Sequence, residues 1–243
     1  MDERLTPAPL VPSFGDRVRD LAGVVGLYVG GSLAFGDYRP GVSDLDVIAV
    51  VDRDLDRTRR RQVTELHEAI DDEKLHCAYL VRDKAADLDR KHHYWAYGEL
   101  YRRAVSGVAR AELLRGGITV YGPPPAEVIP PVDDAALRAA ARAELTGYWS
   151  RAVTKPKLWR EDLYVDLGLI TLARVEATVT ENRLITKREA IERLAAFGVP
   201  DDLREQIARR RAGEPVTLTE DERAARAELA RGLMTAGIAG LTG

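Results

Sequence analysis

Two aspartates stand two residues apart at Asp44 and Asp46, and they open an apolar run, Leu45 to Val51. In an extended strand, residues i and i+2 point to the same side, so both carboxylates face one way. Two carboxylates that close repel each other unless a cation lies between them. Eleven residues upstream of the pair, a second apolar run (residues 24–29) ends in Gly30-Gly31-Ser32. Small residues there let the backbone approach a ligand closely, and exposed N–H groups with a serine hydroxyl can hold phosphate oxygens. Carboxylate oxygens together with phosphate oxygens describe a Mg²⁺ site, with Gly31 and Ser32 on the phosphates and Asp44 and Asp46 on the metal. A metal so held would neutralise a triphosphate and orient its α-phosphorus for in-line attack. The competing reading of the pair alone is a solvated Asp-x-Asp at the start of a strand.

A second candidate set is basic. Lys187 follows Thr186, and Thr186-x-x-Glu189 has the form of a capping box, so Lys187 falls in the first turn of a helix. A lysine there opposes the helix dipole unless an anion is near, and a triphosphate would be such an anion. Arg174 lies thirteen residues earlier. The competing reading is two surface cations among the 36 lysines and arginines.

These residues need elements to position them. The first half alternates strand and helix signals: a helix over 13–22 capped by Ser13, strands over 24–29 and 44–51, and a structured loop over 33–43. A helix over 54–70, a strand over 75–81, mostly helix over 85–115 and a short strand over 117–121 follow. Gly122-Pro123-Pro124-Pro125 and Pro130-Pro131 then bracket a stretch expected to hold no regular element. Beyond it the pattern is helical: from Asp133 or Asp134 to about Ala152, about 161–180, 187–197, about 202 to a stop at Gly213, and a last helix opened by Thr219-x-x-Glu222. The expected architecture is an α/β domain over 1–131 followed by an all-helical domain over 132–243.

Composition narrows the class. The 243 residues carry 36 basic and 39 acidic side chains, a formal net charge of −3, with 45% hydrophobic residues. That composition excludes disorder, no run approaches the ~20 apolar residues that span a bilayer, and a polyanion binder would usually be basic. Met1-Asp2-Glu3-Arg4 lacks an apolar stretch, which predicts no secretory signal and a cytoplasmic protein. One cysteine, Cys77, excludes an intramolecular disulfide and a cysteine-based zinc site.

Gly31-Ser32, eleven residues, then Asp44-x-Asp46 resembles the signature of polymerase-β-type nucleotidyltransferases. The domain order, Ser43 directly before Asp44, and Ile118-Thr119-Val120-Tyr121-Gly122-Pro123 are similar to the aminoglycoside adenylyltransferases that modify streptomycin and spectinomycin. The resemblance implies ATP as co-substrate, Mg²⁺ on Asp44 and Asp46, nucleotide contacts from Gly31, Ser32 and Ser43, and ATP phosphates on Arg174 and Lys187. It also implies an acceptor cleft closed by the helical domain, with Trp159, Glu161, Asp162 and Asp166 in the region that receives a cationic small molecule.

Two positions depart from that family. Its catalytic glutamate aligns with His76, which can serve as the base or mark its absence. Its drug-stacking tryptophan aligns with Leu100 in Gly98-Glu99-Leu100; Trp95 is a substitute or a core residue. His92 and His93 are expected on a helix or loop surface, and Asp71, Asp72 and Glu73 in a solvated turn. The expected activity is transfer of AMP from ATP to a hydroxyl of an aminoglycoside-like acceptor. The alternatives are RNA or protein as acceptor, the former opposed by the lack of positive charge, or a non-catalytic nucleotide-binding module.

Overall fold

The computed structural model describes residues 2–21 and 23–242. Ala22, which ends the expected first helix, and Met1 and Gly243, which end the expected domains, lie outside the described residues. Contacts divide the chain into two units, Met1–Val132 and Asp133–Gly243.

In the first unit, α1 (Leu10–Arg19), β1 (Val24–Val29), α2 (Gly31–Ala34), β2 (Leu45–Val51), α3 (Arg57–Glu68) and β3 (Leu75–Val81) come first. The hairpin β4 (Lys91–Ala96) and β5 (Glu99–Ala104) then precedes α4 (Gly107–Gly116), β6 (Ile118–Tyr121) and α5 (Pro125–Val128). The described strands form one mixed sheet in the order β5-β4-β3-β2-β1-β6. β2 and β3 run parallel, and the other neighbours are antiparallel. Alternation along the strands sends side chains to two cores: Leu27 and Val29 of β1 join one, and Tyr28 between them joins the other. All seven residues of β3 are buried, as suits a strand covered on both faces. The crossover from β2 to β3 is α3, capped by Asp56, whose side chain accepts the Arg59 N–H at 2.9 Å.

Four expectations in this unit are corrected. The first helix starts at Leu10, because its buried face begins at Val11, ahead of Ser13, and continues through Phe14 and Val18; Ser13 lies inside the helix and is not its cap. The loop expected over 33–43 begins as the short helix α2. The helix expected over 85–115 is a β-hairpin followed by α4. Tyr97 and Gly98 take positive φ values of 55° and 74°, the backbone of a tight two-residue hairpin turn. The proline-rich stretch holds one regular turn, α5, with Pro125 at its first position, where a missing N–H costs nothing.

The second unit holds helices and no strand among the described residues. α6 (Asp134–Glu144) is capped by Asp133, whose carboxylate accepts the Ala136 N–H at 2.7 Å. It runs through a π-helical turn at Leu145–Trp149 into α7 (Ser150–Ala152). α8 (Asp162–Glu181), α9 (Lys187–Arg193), α10 (Asp201–Arg211) and α11 (Glu220–Thr242) follow. The expected helix over 187–197 tightens to a 3₁₀ turn at Leu194–Phe197. Gly213 follows α10 at φ 82°, a conformation open to glycine at no steric cost. Leu137, Trp159, Leu172 and Met234 are fully buried in this unit. No described helix is long and apolar enough to cross a membrane.

Candidate functional site

The Gly-Ser turn and the aspartate pair meet through the backbone. β1 and β2 are antiparallel neighbours with Val29 opposite Val47, so the end of β1 reaches the start of β2. The Gly30 N–H donates to the Asp46 carbonyl at 2.8 Å. Gly31 then turns into α2 at φ 57°. A Cβ added at Gly31 would lie 2.1 Å from Asp46 Oδ2, so the glycine Cα forms one wall of the carboxylate's seat. Only glycine fits here, both for its φ and for this approach. Ser32 is half-buried, and its carbonyl accepts the Asp37 N–H at 2.9 Å. Ser43 is buried, and its hydroxyl accepts the Arg39 N–H at 3.1 Å; it braces the loop that delivers Asp44.

Asp44 lies just ahead of β2 and is half-buried, while Asp46 is exposed on the strand. Their partners across the parallel ladder are informative. Leu45 pairs with Leu75 and Asp46 with His76. One step earlier, Lys74 Nζ stands 3.3 Å from Asp44 Oδ1. Asp44 and Asp46, at the mouth of β2, therefore stand beside Lys74 and His76 at the mouth of β3. The donor set suits a hard divalent ion: two carboxylates, with a cationic ammonium already on one of them, and a glycine wall that leaves Asp46 room. No group of three or more His, Cys, Asp or Glu side chains is placed for a metal among the described residues. Such a site would draw its remaining ligands from phosphate oxygens and water, as Mg²⁺ commonly does.

His76 is 5% exposed, and its Nε2 is buried without a hydrogen-bond partner. Burial pulls its pKa below the ordinary value of 6.5, partly opposed by the nearby Asp44 carboxylate. The imidazole is thus neutral near pH 7 and able to take a proton. The Tyr97 ring stands edge-on to it, centroids 4.9 Å apart, and Tyr97 itself is 74% exposed. Sequence reasoning passed over both Lys74 and Tyr97. The available signals were Lys74 two residues before His76, and Tyr97 beside a glycine that punctuates an aromatic-rich stretch.

In the second unit the structure brings Arg174 and Lys187 to neighbouring elements. Arg174 on α8 donates through Nε to the Ile185 carbonyl at 3.0 Å, directly ahead of the α9 cap. That cap is a full capping box. The Glu189 N–H reaches Thr186 Oγ1 at 3.1 Å, and the Thr186 N–H reaches Glu189 Oε2 at 2.7 Å. Lys187 is the first residue of α9.

Residues 12–94 match the family model described as nucleotidyltransferase domain. The matched stretch, 83 of the 243 residues, is similar to a nucleotidyltransferase domain. Gly31, Ser32, Ser43, Asp44, Asp46 and His76 of the site all lie in the matched stretch. Among solved structures, the chain is similar to the spectinomycin adenyltransferase AAD(9) from Enterococcus faecialis, determined with ATP and spectinomycin. The TM-score is 0.71 at 16% identity, over 92% of this chain and 98% of that one. The chain thus shares the fold of that spectinomycin adenyltransferase. The comparison with curated proteins gives no match.

In the second unit, three of the four residues expected at the acceptor are committed to that unit's own packing. Trp159 is 0% exposed, its Nε1–H donates to the Ala152 carbonyl at 3.0 Å, and its ring lies against Trp149 and Gly168. It offers no free face for a ligand. Asp166 is held by Arg210 through two bonds of 2.6 Å. Burial still pushes its pKa above the usual carboxylate value, against the pull of that guanidinium. Asp162 pairs with Arg226 and, at 3.1 Å, with Arg223. Burial would raise its pKa, but these arginines outweigh it and hold the carboxyl low. Glu161 is exposed. In the first unit, Trp95 is core, stacked on His67 with centroids 4.7 Å apart. His92 and His93 are buried on β4 and not on a surface helix. His92 Nδ1 accepts the Val81 N–H, and His93 Nδ1 bonds Asp54 at 3.0 Å.

Proposed function

We propose that this chain transfers AMP from ATP to a hydroxyl of a small acceptor of the aminoglycoside or spectinomycin type. The observation that carries this reading is the seat of Asp46 against Gly31, which joins a phosphate-binding turn to a carboxylate pair. Asp44 and Asp46 would hold Mg²⁺. The chemistry supplied there when the ion is bound is neutralisation of the triphosphate and orientation of its α-phosphorus. The N–H groups and hydroxyl of Gly31-Ser32 receive phosphate oxygens, with Ser43 keeping the aspartate loop in shape. Arg174 and Lys187 serve as a phosphate-binding pair of the helical unit. His76 takes the acceptor's hydroxyl proton as the oxygen attacks the α-phosphorus, and pyrophosphate leaves. Its neutral state, kept by burial, is what that step needs.

Incubation with ATP, Mg²⁺ and an aminoglycoside panel should yield an adduct heavier by one adenylyl group (AMP less water), read by mass spectrometry. No adduct, together with no protection of bacteria expressing the chain, would sink the drug assignment. A second reading follows from His76 standing where the resembled enzymes carry glutamate: the acceptor is then a hydroxyl of RNA or protein. Incorporation of labelled nucleotide into cellular macromolecules, with none into small molecules, would select it. A non-catalytic module would instead bind ATP equally well with or without Mg²⁺ and in Asp44→Ala/Asp46→Ala.

A further inference from the structure

The ammonium of Lys74 occupies the position at Asp44 that a bound cation would contest. Its distance is 3.3 Å from Oδ1, and both side chains are partly exposed. Nothing about this lysine's place is incidental to the strand pairing. Its carbonyl accepts the N–H of Leu45, the residue between the two aspartates, at 2.7 Å. Its own N–H donates to Asp72 Oδ1 at 2.8 Å. The backbone of Lys74 is thus pinned from both sides beside the aspartate pair, and its side chain can reach Asp44 at little cost in chain freedom. The ladder partner of Asp46 is His76.

We propose that Lys74 is the resident counter-cation of Asp44, a positioning residue that divalent metal must displace from the carboxylate to bind. This rests on Asp44 and Asp46 being the metal ligands, as read above. A divalent ion and an ammonium cannot share one carboxylate oxygen without mutual repulsion at short range. The lysine therefore keeps Asp44 oriented and compensated while no metal is present, and it lowers the affinity for free metal. Arriving with its own phosphate oxygens, metal–nucleotide suffers less from this competition, because those anionic oxygens also compensate the displaced ammonium. The device favours metal–nucleotide over metal alone.

The test is a Mn²⁺ titration of the whole chain without nucleotide, followed by electron paramagnetic resonance of the free ion. Exposed ion pairs are weak, so Lys74→Met is expected to tighten Mn²⁺ about two- to fivefold. Lys74→Arg, which keeps a cation in reach, should stay near the parent value. Lys84→Met removes a charge from the turn after β3 and controls for net charge; it should not tighten binding. Unchanged or weaker binding in Lys74→Met, or equal tightening in Lys84→Met, overturns the proposal. Asp44→Asn separates the two readings. If Mn²⁺ binding does not depend on Asp44, the metal-site reading fails; if it does depend on Asp44 and Lys74→Met does not tighten it, only the role of Lys74 fails.

Discussion

Replacing Gly31 with alanine tests the seat that joins the turn to the aspartates. Two effects act at once. The position has φ 57°, and an L-residue held in that region costs about 1–2 kcal/mol. The new Cβ would also start 2.1 Å from Asp46 Oδ2, where ordinary contact needs at least 3.4 Å. The carboxylate must therefore move by more than ~1 Å, a misplacement that can cost on the order of 100-fold in rate. Gly36→Ala separates these effects. Gly36 has a similar φ of 70°, but its Cβ would meet nothing within 4 Å. Both variants should lose thermal stability by a few degrees, read by differential scanning calorimetry. Only Gly31→Ala should also lose adenylyl transfer, about 100-fold, along with Mn²⁺ affinity. Parent activity in Gly31→Ala would refute the reasoning, because Asp46 could then leave its seat without consequence. Equal loss of activity in both variants would refute it as well, by assigning the effect to backbone strain.

His76→Ala should lower turnover by about 10²–10⁴-fold with little change in ATP affinity, measured by steady-state kinetics and calorimetry. Because burial lowers the His76 pKa, the basic form persists below pH 6.5, and the parent's acid limb should fall below that value and vanish in the variant. Buried His67, which bonds the Tyr79 hydroxyl at 2.9 Å, has its pKa pulled down to about 3 from 6.5. The folded state keeps this ring neutral while the unfolded chain protonates it. Its contribution is whole above pH 6.5 and is lost as pH falls toward 3, about 2 kcal/mol by pH 5. Urea titrations across that range should show a shallower loss in His67→Gln, which can still bond Tyr79. Trp159→Ala should cost about 3–5 kcal/mol of stability in denaturant titrations. Tyr97→Ala should leave the midpoint unchanged and raise the acceptor KM.

What was legible in the chain was what is set locally. The Gly-Ser turn and Asp44-x-Asp46 announce themselves because small residues at a strand end and i, i+2 carboxylates have few other uses in combination. The capping box at Thr186 is equally local, and the hydrogen bonds bear it out. The β4–β5 hairpin was not legible, because Tyr97-Gly98 lacks the usual Asn-Gly or Asp-Gly turn and the flanking KHHYWA and ELYRRA do not alternate cleanly. Without the hairpin, Tyr97 could not be brought to His76. Trp159, Asp162 and Asp166 misled for a different reason. An aromatic beside acids has one composition whether it receives a cationic ligand or packs in a core. For the two aspartates the deciding partners, Arg210, Arg223 and Arg226, lie 44 to 64 residues further on, beyond any local pattern.

The register between β2 and β3 carries more of the site than any single residue in it. Seven consecutive pairs, Leu45 with Leu75 through Val51 with Val81, align without a bulge. A slip of one residue would turn every β3 side chain to the other face, placing Leu75 or Cys77 opposite Asp46 and sending His76 to the far core. Such a slip is resisted because β3 is buried along its whole length, so each misplaced side chain would have to be repacked. The pairing that sets Lys74 on Asp44 and His76 beside Asp46 is thus enforced by buried residues further along the ladder, such as Val47, Ala49 and Tyr79. Chemistry at the strand mouths is held in place by the apolar ladder behind them, so the near-balance of charge in the whole chain says little about the site. What matters there is which cation the ladder sets against which carboxylate.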